Sequence, residues 1–134
     1  MSDEAWRREY VLNWWQKAEE SLNDARTLYN QGSLFACVSR LYYAAFYAVQ
    51  AWLGGQGISY RKHSGVRSGF HQYLVRTGLL DSRWGEFYDQ LFEDRTEADY
   101  NPSPTFDREY VGELLQKAEE FLSDLRPLIK YLDK

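Results

Sequence analysis

Between Leu34 and Leu53 the chain reads LFACVSRLYYAAFYAVQAWL, where only Ser39, Arg40 and Gln50 are strongly polar and no Gly or Pro intervenes. A helix apolar on nearly every side either sits at the centre of a bundle or crosses a membrane. This one has about the length a span needs. Arg40 near its middle, and the polar tips of Tyr42, Tyr43, Tyr47 and Trp52, would be left unpaired in lipid. Polar flanking segments with helical periodicity offer soluble neighbours instead. The expectation is a buried core helix and no membrane. Arg40 must then reach solvent or find a carboxylate, because an unpaired buried charge is very costly.

The neighbours read as helices too. A first helix is expected from about Ser2–Asp3 to Asn30. Its buried stripe is Trp14 or Trp15, Ala18, Leu22, Ala25 and Leu28 or Tyr29. Gly32 suits a left-handed helix end and Ser33 a cap for the next helix, so short a connection making the two helices antiparallel. The central helix is expected to stop at Gly54-Gly55-Gln56-Gly57. A basic loop over 58–63 leads to a short helix, Ser64 to Arg76, closed by Gly78. Asp81 or Ser82 caps a fourth helix through Trp84, Phe87, Tyr88, Leu91 and Phe92, ending before Asn101-Pro102-Ser103-Pro104. Thr105 is expected to cap a last helix carrying Phe106, Tyr110, Leu114, Ala118, Phe121, Leu125, Leu128 and Leu132, with Pro127 a kink near its end. With no convincing strand, the fold class is all-α: an up-and-down four-helix bundle with a short additional helix, one domain over residues 1–134.

A net charge of −4 argues against a protein that simply coats nucleic acid, but it hides an asymmetry. Residues 60–84 carry 5 Lys/Arg and 1 Asp/Glu, against 6 and 13 over residues 85–134. Arg61, Lys62, Arg67, Arg76 and Arg83 thus collect in one segment with both histidines. The lone Cys37 reads as a small buried hydrophobe in a reducing compartment. No Cys/His spacing suggests zinc, and no cofactor motif is present. The N-terminus lacks a signal-peptide apolar core, so cytoplasmic residence is expected.

Three places have residues suited to chemistry. Arg95 and Asp99 share a helix face at i and i+4, where a salt bridge is the plain expectation. The functional alternative gives the planar fork of Arg95 to a phosphate or phosphodiester, with the Tyr100 hydroxyl beside it. Lys62-His63, with Arg61, Arg67 and His71 nearby, lies in a loop before a helix start, a setting that favours anions. His63 is expected to precede the helix. Arg40, Tyr43 and Tyr47 share a side of the central helix: either Arg40 pairs with a carboxylate of the first or fourth helix, or the strip faces a partner chain.

Several short motifs in order resemble the HEPN family (higher eukaryotes and prokaryotes nucleotide-binding domain). They are Lys17-Ala18 with Leu22 and Ala25; Ser39-Arg40-Leu41-Tyr42-Tyr43-Ala44-Ala45-Phe46; His63-Ser64-Gly65-Val66; Arg95-Thr96-Glu97-Ala98-Asp99-Tyr100; and Lys117-Ala118-Glu119-Glu120-Phe121-Leu122. The resemblance implies a four- or five-helix bundle, usually a homodimer, often working with a minimal nucleotidyltransferase in a toxin–antitoxin-type system. It implies nucleotide or RNA binding, here placed on Arg95, Asp99, Tyr100, Arg40, Lys62 and His63. Active members are metal-independent RNases with an Arg followed four to six residues later by His. Arg95 matches the Arg, but Tyr100 stands five residues on, and no His follows within that spacing. A phenol with an ordinary pKa near ~10 is a poor proton-transfer group at neutral pH. Appreciable RNase activity is therefore not expected; the candidates for any residual catalysis are Arg95, Tyr100 and His63, the last only if the fold carries it to the end of the fourth helix.

Overall fold

A computed structural model describes residues 3–132; Ser2, the expected first helix residue, lies outside them. Five helices follow in order: α1 Asp3–Asn30, α2 Leu34–Gly55, α3 His63–Phe70, α4 Ser82–Tyr100 and α5 Arg108–Leu125. A π-helical turn, His71–Val75, extends α3, and a 3-10 turn, Arg126–Leu128, follows α5. The architecture is the all-helical bundle expected from the periodicities, with no strand among the described residues.

The centre is α2. From Ala44 to Gly55 every residue except Tyr47 is buried, and α1, α3, α4 and α5 all pack on it. No helix among the described residues is long and apolar enough to cross a membrane. Around α2 lie Val11, Trp15, Ala18, Leu22 and Ala25 of α1, then Trp84, Phe87, Tyr88 and Leu91 of α4. Val111, Leu114, Ala118, Phe121, Leu122 and Leu125 of α5 close the core. On α1 the stripe is therefore set by Trp15, while Trp14, Leu28 and Tyr29 are half-buried at its edge. Cys37 is fully enclosed, and burial pushes its thiol up to about 11.

Gly32 takes φ +80°, and the Ser33 amide reaches back to the Leu28 carbonyl at 2.9 Å, so the chain reverses in three residues. Ser33 holds the N-cap position of α2 but makes no side-chain cap bond, contrary to expectation. The glycines at the other end do not stop the helix. Gly54 and Gly55 are helical and buried because α1 and the C-terminal segment come too close for side chains. A Cβ on Gly54 would lie 2.7 Å from the Tyr10 ring, and one on Gly55 3.3 Å from Lys130 Cβ. The helix ends only after them.

Three further boundaries differ from expectation. α3 begins at His63, since the Val66 amide bonds the Lys62 carbonyl at 3.1 Å and makes Lys62 the N-cap. Its second half widens into the π turn, where the Arg76 amide bonds His71 O at 2.8 Å. Asp107, not Thr105, caps α5: its carboxylate accepts from the Tyr110 amide at 3.1 Å, the stronger choice at a positive helix end, and Phe106 precedes the helix. Asp81 caps α4 in the same manner, accepting from the Arg83 amide. At Pro127, which has no N–H for the next α-helical bond, α5 has already tightened into the 3-10 turn.

Candidate functional site

Successive residues of a helix point about 100° apart, so Tyr42 and Tyr43 leave α2 on different faces. Tyr42 is fully buried; Tyr43 is half-buried and stands at the surface between α2 and α4. The two rings meet edge to face at 5.3 Å and form the floor of a site whose walls come from α3 and α4.

From the last turn of α4, Arg95 reaches over this floor. Its Nη2 donates to the Tyr43 hydroxyl at 2.8 Å, and the guanidinium carbon lies 5.3 Å and 5.4 Å from the Tyr42 and Tyr43 ring centres. The expected ion pair is present, with Nε 2.8 Å from Asp99 Oδ2. That approach is close but not aligned as a hydrogen bond, so the buried Nε is paired by charge alone. Burial works against the charge of Arg95, yet Tyr43 and Asp99 outweigh it and hold the guanidinium protonated. Tyr100 is 72 % exposed at the edge of the cluster, its ring centre 5.9 Å from the same guanidinium. Asp99 is also on the exposed side of the helix.

The fold does carry His63 to this place. Its ring stacks on Phe46 at 4.3 Å, lies 5.8 Å from each of Tyr42 and Tyr43, and puts Nδ1 2.8 Å from the Tyr42 hydroxyl. Burial lowers the pKa of His63, and the positive charge of Arg95 lowers it further, so the ring is neutral at pH 7. The Tyr42 hydroxyl, its own pKa pushed up to about 12 by burial, keeps its proton. A buried hydroxyl needs an acceptor, and donation to Nδ1 satisfies it. That assignment leaves the proton of His63 on Nε2, which makes no hydrogen bond among the described residues.

The carboxylate partner expected for Arg40 is not found among the described residues. Arg40 is half-buried and instead lies 4.8 Å over the Tyr43 ring. The ring's negative face takes the place of a carboxylate. Further along the same side, Tyr43 meets Tyr47 at 5.7 Å, and Lys17 of α1 lies 4.7 Å over Tyr47. Lys62 and Arg61 are exposed at the start of α3.

Two groups escaped the sequence reading. Asp89 of α4 accepts from Arg67 Nε at 2.8 Å and bonds His71 Nε2 at 2.9 Å, pinning α3 and the π turn to α4. Burial pushes the Asp89 carboxyl up, but the hydrogen bonds from His71 and Arg67 prevail and hold it below the ordinary range. Arg67 also lies 4.5 Å over Phe92, which packs against Tyr42 at 5.9 Å. The second group is Tyr42 itself, indistinguishable by residue type from its surface neighbour Tyr43. Its only signal was the helical phase that places it between Leu41 and Ala45 on the buried side.

Chemically, the cluster offers a charged guanidinium with Nη1 unbonded among the described residues, a neutral imidazole with a free N–H, and a second guanidinium against the Tyr43 ring. These are donors and positive charge without a matching excess of carboxylates, which suits a phosphate oxygen.

Comparison with known proteins places these features in context. The family model of the HEPN domain matches residues 11–128. A UPF0332 protein of Thermotoga maritima is 38 % identical, covering 95 % of this chain and 97 % of the relative. Two proteins of Methanocaldococcus jannaschii are also similar. One, named "Putative toxin MJ0142", is 36 % identical over 87 % of this chain and 78 % of its own length. The other, named "Putative toxin MJ0605", is 28 % identical over 84 % of each.

Proposed function

The chain belongs to the HEPN family, and on that premise we propose that it is a toxin-type module that binds RNA or a nucleotide through Arg95 and His63. The observation that supports this most is the convergence of these two residues, 32 positions apart in sequence, on one Tyr42–Tyr43 floor. Arg95 supplies charge and a fork of donors; His63 adds an N–H; Arg40 adds positive field from beyond Tyr43. Lys62 and Tyr100 stand at the rim. The relatives named as toxins support the same direction.

In this reading the module works with partners. A second copy packs on the side of α2 that shows Arg40, Tyr43 and Tyr47, an aromatic and basic strip only half-covered within one chain. A nucleotidyltransferase is the further partner implied by the resemblance. Its contribution is the regulation of the site.

One observation favours a second reading, metal-independent RNA cleavage. The His missing after Arg95 in sequence is supplied in space by His63, and a neutral imidazole can accept a proton at pH 7. The two readings separate in one experiment. A mixed-sequence RNA is incubated in EDTA with wild type, His63→Ala and Tyr100→His, and binding is followed in parallel by fluorescence anisotropy. Binding without wild-type cleavage, lost in Arg95→Ala, supports the binding module; Tyr100→His restores an Arg-x(4)-His spacing and is the gain-of-activity control. Robust wild-type cleavage that disappears in His63→Ala replaces it with the RNase reading. Absence of RNA and nucleotide binding in wild type overturns both.

A further inference from the structure

Alongside the Arg95–His63 cluster runs a groove of about 580 Å³ between α3, the π turn and α4, lined by Ser64, Arg67, Ser68, Gln72, Arg76 and Asp89. Ser64, Ser68, Gln72 and Arg76 follow one another at four-residue steps. In an α-helix with 3.6 residues per turn, such a series drifts around the axis with each step. Here the second half is the π turn, whose wider i to i+5 bonding takes in the extra residue and counters that drift. Gln72 and Arg76 thus stay in the groove with the two serines.

The charge of the groove is not cancelled by its one carboxylate. Asp89 is already shared by Arg67 and His71, both within 2.9 Å. Arg76 is exposed and makes no ion pair among the described residues. The hydroxyls of Ser64 and Ser68 and the amide of Gln72 make no hydrogen bonds there either, although helical serines commonly bond back to their own helix. This exposed helix face thus presents an arginine with no carboxylate partner among the described residues beside three neutral polar side chains, a set that suits an anion. The two clusters share one packed wall: Arg67 lines the groove and lies on Phe92, which packs against the buried Tyr42, whose hydroxyl bonds His63.

We propose that this face of α3 binds a second phosphate of a single-stranded RNA whose first phosphate lies at Arg95 and His63. The inference rests on the phosphate-binding reading above and sharpens it: the ligand is an oligoribonucleotide spanning both clusters, and a mononucleotide fills only half the site. Phosphate contacts of this kind set register and affinity, and each one makes binding more salt-dependent.

The test uses the full chain with a fluorescein-labelled eight-nucleotide RNA and with AMP, comparing wild type, Arg76→Ala, Arg76→Lys and Arg95→Ala. Removing one phosphate contact from a single strand reduces the log–log salt slope by about 0.7, equivalent to about fivefold in affinity at 0.1 M salt. Arg76→Ala is expected to weaken the RNA by about that factor and to flatten the slope, with AMP affinity and Tm unchanged. Arg76→Lys keeps the charge and should retain most of the slope. RNA affinity and salt slope identical in wild type and Arg76→Ala, while Arg95→Ala loses both ligands, would overturn the second subsite and leave the first standing. Wild type that binds neither RNA nor AMP would overturn both.

Discussion

Replacing Arg95 by alanine distinguishes a binding residue from a structural one, because the contributions of Arg95 to stability partly cancel. An i,i+4 ion pair such as Arg95–Asp99 is worth about 0.3–0.5 kcal/mol. The charged hydrogen bond to Tyr43 adds about 1.5 kcal/mol, the low end of its range because both partners are only partly buried. Contact with the Tyr42 and Tyr43 rings adds about 0.5–1 kcal/mol. Against these gains, the imperfect alignment of the buried Nε on Asp99 costs about 1 kcal/mol, the low end of its range because the carboxylate still faces it. The balance is a loss of about 1–2 kcal/mol on truncation, or about 4–8 °C in Tm for a chain of this length. For a bound phosphate, the same truncation removes a charge-assisted contact worth about 1.5–3 kcal/mol, roughly 10- to 150-fold in affinity. Differential scanning fluorimetry and anisotropy with a labelled oligoribonucleotide measure the two quantities on one preparation. A fall in Tm of roughly 15 °C or more with binding unchanged would refute this reasoning and make Arg95 half of a structural salt bridge.

Three further outcomes are expected. Tyr88 is fully buried, and its hydroxyl, next to that of Tyr42, has no well-aligned hydrogen-bond partner among the described residues. Tyr88→Phe should therefore stabilise the protein by about 1 kcal/mol in urea denaturation, and a loss of similar size would show that Tyr42 accepts from it after all. The lowered pKa of Asp89 means that its contribution is complete above about pH 4, the unfolded value, and is lost as pH falls through the folded one. Asp89→Asn should flatten the acid side of the stability curve below about pH 4, whereas an acid limb as steep as wild type would contradict the assignment. Light scattering after size exclusion is expected to give dimer mass at micromolar concentration, and monomer mass alone would count against the packing of a second copy on α2.

Much of the architecture was legible because it depends on local rules. The apolar run on α2, the stripes on α1, α4 and α5, and the reversal at Gly32 each follow from neighbours within a few turns. The boundaries that differed depend on what lies across the fold. Gly54 and Gly55 look like breakers in sequence, and only the approach of Tyr10 and Lys130 turns them into spacers within a helix. Thr105 and Asp107 are both capping residues, and the choice between them rests on where the extended segment after Pro104 meets the bundle. The site was half legible. Arg95 and Asp99 are four residues apart, so their pairing could be read from helix geometry alone. The association of His63 with Arg95 could not, because it requires knowing that α3 and α4 meet over the same two rings of α2. Asp89 looked like one more charge on an acidic helix until Arg67 and His71 were seen to converge on it.

The most direct test of the central claim is an NMR titration of the protein with the eight-nucleotide RNA, followed at the ring C–H resonances of His63. The chain has only 2 histidines, so His71→Gln assigns the remaining signal without ambiguity. If Arg95 and His63 form one phosphate site, the His63 resonance shifts saturably in wild type and stays in place in Arg95→Ala at the same RNA concentration. RNA bound by anisotropy with the His63 resonance unmoved would contradict the account.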